Sequence, residues 1–389
     1  MIVRAIYKAA IKPVLFRFDP ERAHHIAQQW CALAGRVPGA PALARAGLST
    51  SDAGLRQTIA GVEFANPVGL AAGFDKNGQA VRLLGSLDFG HVEIGSVSAF
   101  PSGGNPRPRL FRAPAERAII VNYGVPNEGA EAVAARLAAS TCPVPLGVNL
   151  VKTNDAARPD SAEEVLADYA SAFARLQPFA SYINLNLSCP NSAKDRDFFD
   201  DPDRIGALLD RIARTPPNVP VFLKLKPARD ASILRDIVGI ADRHSYVAGF
   251  GINLPAGKPA ELDFRMPRGH WLKYPGAVSG RPVEHFINAN LRMLSEIIGP
   301  GSRYRLFAAG GVFTAEDAYR KIRLGASLVQ LYTALIYEGP GIVKTILRGL
   351  SRLLHQDGFS QVSDAVGADL TGAARVGTVE KLSGVSRQE

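Results

Sequence analysis

The stretch from residue 146 to 187 decides the fold: LGVNL at 146–150, AEEVLADYASAFARL at 162–176 and YINLNL at 182–187. Two short β-type runs flank one amphipathic stretch, which is the pattern of a β/α unit. Working outward from there, the alternation holds from residue 56 onward. Further apolar runs stand at Pro67–Ala72, Val92–Gly95, Val221–Leu225, Val247–Asn253, Arg305–Ala309 and Leu328–Tyr332. Amphipathic stretches at Asp203–Ile212, Ser232–Ile240, Val283–Ile298 and Ala315–Leu324 separate them. Eight such units over about 290 residues predict an α/β chain folded as a parallel (β/α)8 TIM barrel. The Pro/Gly-rich piece Leu254–Gly276 breaks the rhythm, and a loop of that length is usually functional.

Composition is consistent with this. The chain has 389 residues, 47% hydrophobic and 21% charged, an ordinary globular balance that excludes a disordered protein. Three cysteines (Cys31, Cys142, Cys189) cannot build a disulfide framework and suit a reducing compartment. The net charge of +9 is concentrated at the start. Residues 1–48 hold seven basic side chains against Asp19 and Glu21. No basic run with interleaved aromatics stands elsewhere, so no nucleic-acid partner is expected. No stretch of about 18 apolar residues is present, so no membrane-spanning segment is expected.

The first 48 residues read as a small helical subdomain. Asp19-Pro20-Glu21-Arg22 is a helix start: aspartate caps free N–H groups and proline fits the first helical position. Ala23, Ile26, Ala27, Trp30, Leu33 and Ala34 follow at helical spacing, with Gly35 as the stop and 37–41 as a linker. Ile2, Ile6 and Ala10 mark a shorter helix upstream. Two readings stand: the helices pack on the main domain, or they form a cationic, half-apolar flap on a bilayer surface. The chain thus divides into residues 1–48, a barrel over 49–368, and a polar tail over 369–389 expected to be poorly ordered.

In a barrel of this kind the reactive groups come from the C-terminal ends of the strands. Those ends carry amides, two lysines, one thiol and several glycines. Paired carboxylates, metal-ligand spacings and dinucleotide or Walker-type loops are missing, so no metal is expected and glycoside hydrolysis is disfavoured. Gly310-Gly311 before a helix, with Tyr332-Thr333, suits a phosphate held by backbone N–H groups. The small residues Ala71-Ala72-Gly73 let a flat ring lie against backbone. Together these point to a flavin mononucleotide. Cys189 lies just past the fourth strand. A lone cysteine is more often a small core residue, but a thiol on the rim can act as a base or nucleophile.

These residues resemble the dihydroorotate dehydrogenases, specifically the class 2, quinone-dependent, membrane-associated branch. The resemblance covers residues 5–368 and rests on FDPERAH at 18–24, NPVGLAAGFD at 66–75, Phe89–Ser96, PRLFR at 108–112, Asn186–Asn191, SGRP at 279–282 and GASLVQLY at 325–332. It implies that FMN contacts Ala72, Gly73, Lys76, Ser96, Asn149, Asn186, Lys224, Ile252, Gly280, Gly311, Tyr332 and Thr333. It implies dihydroorotate at Lys76, Asn186, Asn191 and Asn253, with Asn122 a further candidate one residue beyond the family's position. It implies Cys189 as the base, a ubiquinone-type acceptor entering between the N-terminal helices, and a peripheral location on the cytoplasmic face of a membrane. Three departures stand out. Cysteine replaces the serine usual in class 2 at the base position. Val121 and Val125 stand in the family's Asn and Phe columns, and Leu254 stands in a Thr column. They leave open an alternative, a related flavoprotein acting on another dihydropyrimidine or enoyl-type substrate.

Overall fold

The computed structural model describes residues 2–158, 161–188 and 197–370. Eight strands close into a barrel: β1 (Val68–Leu70), β2 (His91–Val97), β3 (Leu146–Leu150), β4 (Tyr182–Asn186), β5 (Val221–Leu225), β6 (Val247–Ile252), β7 (Arg305–Ala309) and β8 (Ala326–Leu331). Each pairs in parallel with its neighbours in chain order, and β8 closes on β1 through Val329 opposite Val68. Seven of the strands have at most one residue that is not buried, as strands covered on both faces must. The helices between them bury their apolar faces on the outside of the barrel. The Ala162–Leu176 helix starts in a capping box, in which Ser161 and Glu164 satisfy each other's backbone N–H groups.

The barrel floor is closed by a hairpin, Gln57–Ile59 with Val62–Phe64, which the sequence pattern did not reveal. Phe64 meets the His91 ring edge-on at 5.6 Å, and the rings of Tyr182, Phe222 and Phe307, with Ile59 and Leu328, complete an apolar plug. Space for those rings comes from small neighbours. A Cβ on Gly69 would stand 2.0 Å from the His91 ring.

At the open end, a three-stranded antiparallel sheet (Leu110–Ala113, Ala118–Val121, Ala277–Gly280) folds over the mouth. It too lay outside the eight-unit pattern. The Leu254–Gly276 segment leads into its last strand and is tied down: the buried Glu116 carboxylate accepts from the backbone N–H groups of Arg265 and Met266, at 2.8 and 2.7 Å.

The N-terminal region is helical from Ile2 to Leu15, with a π-helical turn at Tyr7–Ile11. The Pro20–Arg36 helix follows, capped by Asp19 as the sequence predicts. That helix runs through Gly35, expected as its end, to Arg36, with Gly35 packed against Arg82 and Leu83. A further helix, Ala40–Leu48, occupies what reads as linker and beyond. Residues 371–389, most of the expected tail, lie outside the described residues.

Candidate active site

The strand ends and the covering sheet enclose a cavity at the barrel mouth. Ala72 and Gly73 after β1, Lys224 on β5, Ile252 and Asn253 at the end of β6, Gly311 after β7, and Tyr332 and Thr333 after β8 all line it. These candidates come together because parallel strands deliver their C-terminal ends to one side. Gly310 and Gly311 both have left-handed φ angles of 89° and 78°, and a Cβ on Gly311 would lie 2.4 Å from Glu284. The turn therefore needs glycine, and its bare backbone borders the cavity. Gly280 is similarly constrained, and Ser279 beside it bonds Thr333 through the two hydroxyls at 2.7 Å.

Ser96, Asn149, Asn186 and Asn253 form a hydrogen-bonded series that reaches the cavity through Asn253, while the other three do not line it. Asn253 Nδ2 donates to Asn186 Oδ1 at 3.0 Å, Asn186 Nδ2 to Ser96 Oγ at 3.3 Å, and Ser96 Oγ to Asn149 Oδ1 at 2.5 Å. Lys76 is half-buried, its ammonium 4.2 Å from the centre of the Tyr123 ring. Burial pushes its pKa down to about 8, with Glu21 and Asp75 opposing the fall. Cys189 and Asn191 lie outside the described residues.

Asn122 is not part of this arrangement. Side chains alternate along a strand, so Val121 and Tyr123 face the cavity while Asn122 turns outward, where its Oδ1 accepts from Asn105 Nδ2 at 3.1 Å. Leu254 also lines the cavity. Val125, just beyond, has a left-handed φ of 50°, a strained conformation for a β-branched residue.

A flat ring with an anionic tail fits what is present. Nothing lies within 4 Å of the site a Gly73 Cβ would take, so the space over that backbone is open. The Tyr123 hydroxyl, buried at the cavity wall, has no hydrogen-bond partner. The glycine turn offers backbone N–H groups to a phosphate.

A second, nearly apolar cavity lies beneath the N-terminal helices, which supply Tyr7, Phe16, His24 and Cys31, facing Phe74, Arg112 and Leu335 of the barrel. The His24 Nε2 bonds the Phe74 carbonyl at 2.9 Å, so Nε2 donates and Nδ1 is left as an acceptor. Burial, reinforced by Lys76, drives the His24 pKa well below its ordinary value. The rings of His24, Phe74 and Tyr332 lie 5.4 to 6.5 Å apart and form the partition between the two cavities.

Sequence reading missed Tyr123, Gln330 and Glu93. The last two carried a signal, a polar residue inside an otherwise apolar parallel strand.

Comparison with known proteins bears on this arrangement. The model of the dihydroorotate dehydrogenase family matches residues 54–354. The chain is 38% identical over 364 residues to a Myxococcus xanthus protein named dihydroorotate dehydrogenase (quinone), spanning 92% of this chain and 96% of the relative. A Halobacterium salinarum protein of the same name is 38% identical over 361 residues, spanning 92% and 99%. The crystal structure of DHODH in complex with ferulenol from Eimeria tenella is similar, with a TM-score of 0.76 and 29% identity across 90% of this chain and 96% of that one.

Proposed function

Because the chain belongs to the dihydroorotate dehydrogenase family, we propose that its two cavities are the two half-sites of one reaction. The activity is oxidation of dihydroorotate to orotate with a quinone as acceptor, a CH–CH oxidation in pyrimidine biosynthesis by a flavin-dependent enzyme. In our reading the flavin is FMN, held at the barrel mouth by Ala72, Gly73, Lys76, Ser96, Asn149, Asn186, Lys224, Ile252, Gly280, Gly311, Tyr332 and Thr333. Bound there, FMN would supply the redox chemistry that links oxidation of the substrate to reduction of the quinone.

The chain's own residues supply the rest. Lys76, cationic below about pH 8, holds the substrate carboxylate. Asn186, Asn253 and Asn191 orient the dihydropyrimidine ring, and Cys189 removes the C5 proton. A thiol is a stronger acid than a hydroxyl, so the thiolate forms closer to neutral pH.

The quinone half-site is the apolar cavity under the N-terminal helices, where His24 and Arg112 are the polar contacts. No helix among the described residues is long and apolar enough to cross a membrane. Trp30, Leu33 and Leu43, exposed by 68%, 55% and 75%, give those helices an apolar outer surface. We read it as resting on the cytoplasmic face of a membrane, where a ubiquinone-type acceptor resides.

The single observation behind this reading is the shared partition: Tyr332 lines the first cavity, and His24 and Phe74 line the second. Flavin released by heat from the purified protein should migrate as FMN, and C189A should keep that flavin while losing its reduction by dihydroorotate. A colourless protein, or undiminished reduction in C189A, would refute it.

A second substrate reading has one observation in its favour. Val121 and Leu254 line the cavity while Asn122 turns away, so this part of the wall is apolar. Faster bleaching by a dihydropyrimidine without a carboxylate than by dihydroorotate would establish it.

A further inference from the structure

The series Asn253, Asn186, Ser96, Asn149 does not end at Asn149. Asn149 Nδ2 donates onward to Glu93 Oε1 at 2.9 Å. Every donor in the series therefore points toward Glu93, the second inward residue of β2. Three other groups converge on the same carboxylate. Tyr182 donates to Oε2 at 3.2 Å, Gln330 Nε2 to Oε2 at 2.9 Å, and Asn184 Nδ2 to both oxygens at 3.4 and 3.2 Å. Four donor groups on two oxygens make this an acceptor-only carboxylate.

Its surroundings are closed and uncharged. Glu93, Asn149 and Tyr182 are 0% exposed and Gln330 2%. No ion pair among the described residues reaches Glu93. His91, the other inward polar residue of β2, is held neutral, burial pushing its pKa down to about 3. Its Nε2 lies 3.4 Å from Gln330 Nε2. Gln330 Nε2 thus donates to Glu93, which fixes which way round that amide sits, and in the Nδ1–H tautomer His91 Nε2 is a second acceptor. Gln330 itself borders the barrel-mouth cavity.

A carboxylate here has a cost that amides in an apolar core do not require. It is retained without a counter-ion, one layer below the strand ends that hold the candidate ring. An amide can present either its oxygen or its nitrogen, and a ring edge reads the two oppositely. Glu93 removes that freedom, because an acceptor-only group admits only one orientation of Asn149 and of Gln330. A negative charge in a low-dielectric barrel also opposes the addition of electrons nearby.

We propose that Glu93 is a positioning residue for the flavin reaction: it sets the polarity of the Gln330 amide that borders the cavity and of the Asn149 amide beneath it, and makes the bound flavin harder to reduce. This rests on the reading of the cavity as a flavin site. The sequence motif in which Glu93 sits has no role for it among the ring contacts, and it does not line the cavity.

The test uses the full-length holoprotein and its E93Q and E93D variants, with flavin affinity, visible spectrum and flavin midpoint potential as readouts. Glutamine is nearly isosteric but presents an N–H group to donors, so Gln330 or Asn149 must reverse. Folded E93Q should bind FMN about ten-fold more weakly, as expected for one buried polar group left unpaired. Its midpoint potential should move positive. E93D keeps the charge and withdraws the oxygens by one methylene; it should weaken FMN binding with little change in potential. Should E93Q fail to fold, E93D and its flavin affinity carry the test alone. Wild-type flavin affinity and potential in folded E93Q, or wild-type flavin affinity in folded E93D, overturns the proposal and leaves the flavin site standing. A wild-type protein that takes up no FMN overturns both. A uniform loss of thermal stability with wild-type flavin properties marks Glu93 as merely structural and also overturns it.

Discussion

Lys76 and Cys189 are opposed in their pH dependence. In the proposed function the lysine serves as a cation, so binding of the anionic substrate should weaken as pH rises through its lowered value of about 8. The base must lose its proton, and an unperturbed thiol does so near pH ~8.5. The profile of kcat/KM for dihydroorotate should therefore be a narrow bell, falling about ten-fold per unit on its alkaline side. Replacing Cys189 by serine, a far weaker acid, should lower kcat/KM throughout and turn the alkaline fall into a plateau above about pH 8. A rate that still climbs at pH 10 would contradict the role of Lys76. Val125 offers a separate check. Its left-handed φ of 50° is poorly suited to a β-branched side chain, so V125N should raise stability by about 1 kcal/mol in denaturant unfolding. At this scale the strand-end residues were legible because a barrel rule says where they go. Asn122 was mislocated by counting along the chain; the alternation that puts Val121 and Tyr123 on one face corrects it. Glu93 and Gln330 were not singled out, because they come together only when β2 and β8 meet the same interior.

The elements hold each other through a few specific contacts. Glu338, at the end of the Thr333–Glu338 helix, binds Arg4 at 2.5 Å, Lys8 at 3.3 Å and Arg117 at 2.5 Å. Glu21 binds Arg109 at 2.8 Å, and Gln28 donates to the buried Asp75 at 3.1 Å. These contacts tie the N-terminal helices to both the covering sheet and the loop that carries Lys76. E338A should therefore raise KM for a short-chain quinone several-fold while flavin reduction by dihydroorotate stays within two-fold, read by stopped-flow absorbance. Equal loss in both half-reactions would make the cluster a general stabiliser. On the barrel floor, G69A would drive a methyl group into the His91 ring and should destabilise by about 1–3 kcal/mol or more. The eight strands were legible because each is a short apolar run followed by a helical pattern. The covering sheet was not: two of its strands are four-residue excursions after β2, and the third follows the irregular segment after β6. The Ala40–Leu48 helix was hidden by Pro38, Gly39 and Pro41, which read as a linker although Pro41 sits in its first turn.

Across the whole molecule, the proposed function has the barrel and its helical cap divide one oxidation into two compartments. The polar cavity lies at the strand ends, the apolar one lies under helices with an apolar outer surface, and three rings stand between them. A water-soluble substrate and a lipid-soluble acceptor therefore need never share a pocket. Removing residues 1–36 should lower quinone reduction far more than flavin reduction. The most direct test of this division is anaerobic double mixing with the full chain. Dihydroorotate alone should bleach the flavin absorbance near stoichiometrically, and a subsequent pulse of quinone should restore it. A flavin that dihydroorotate leaves coloured, or that stays bleached after quinone, would contradict the account.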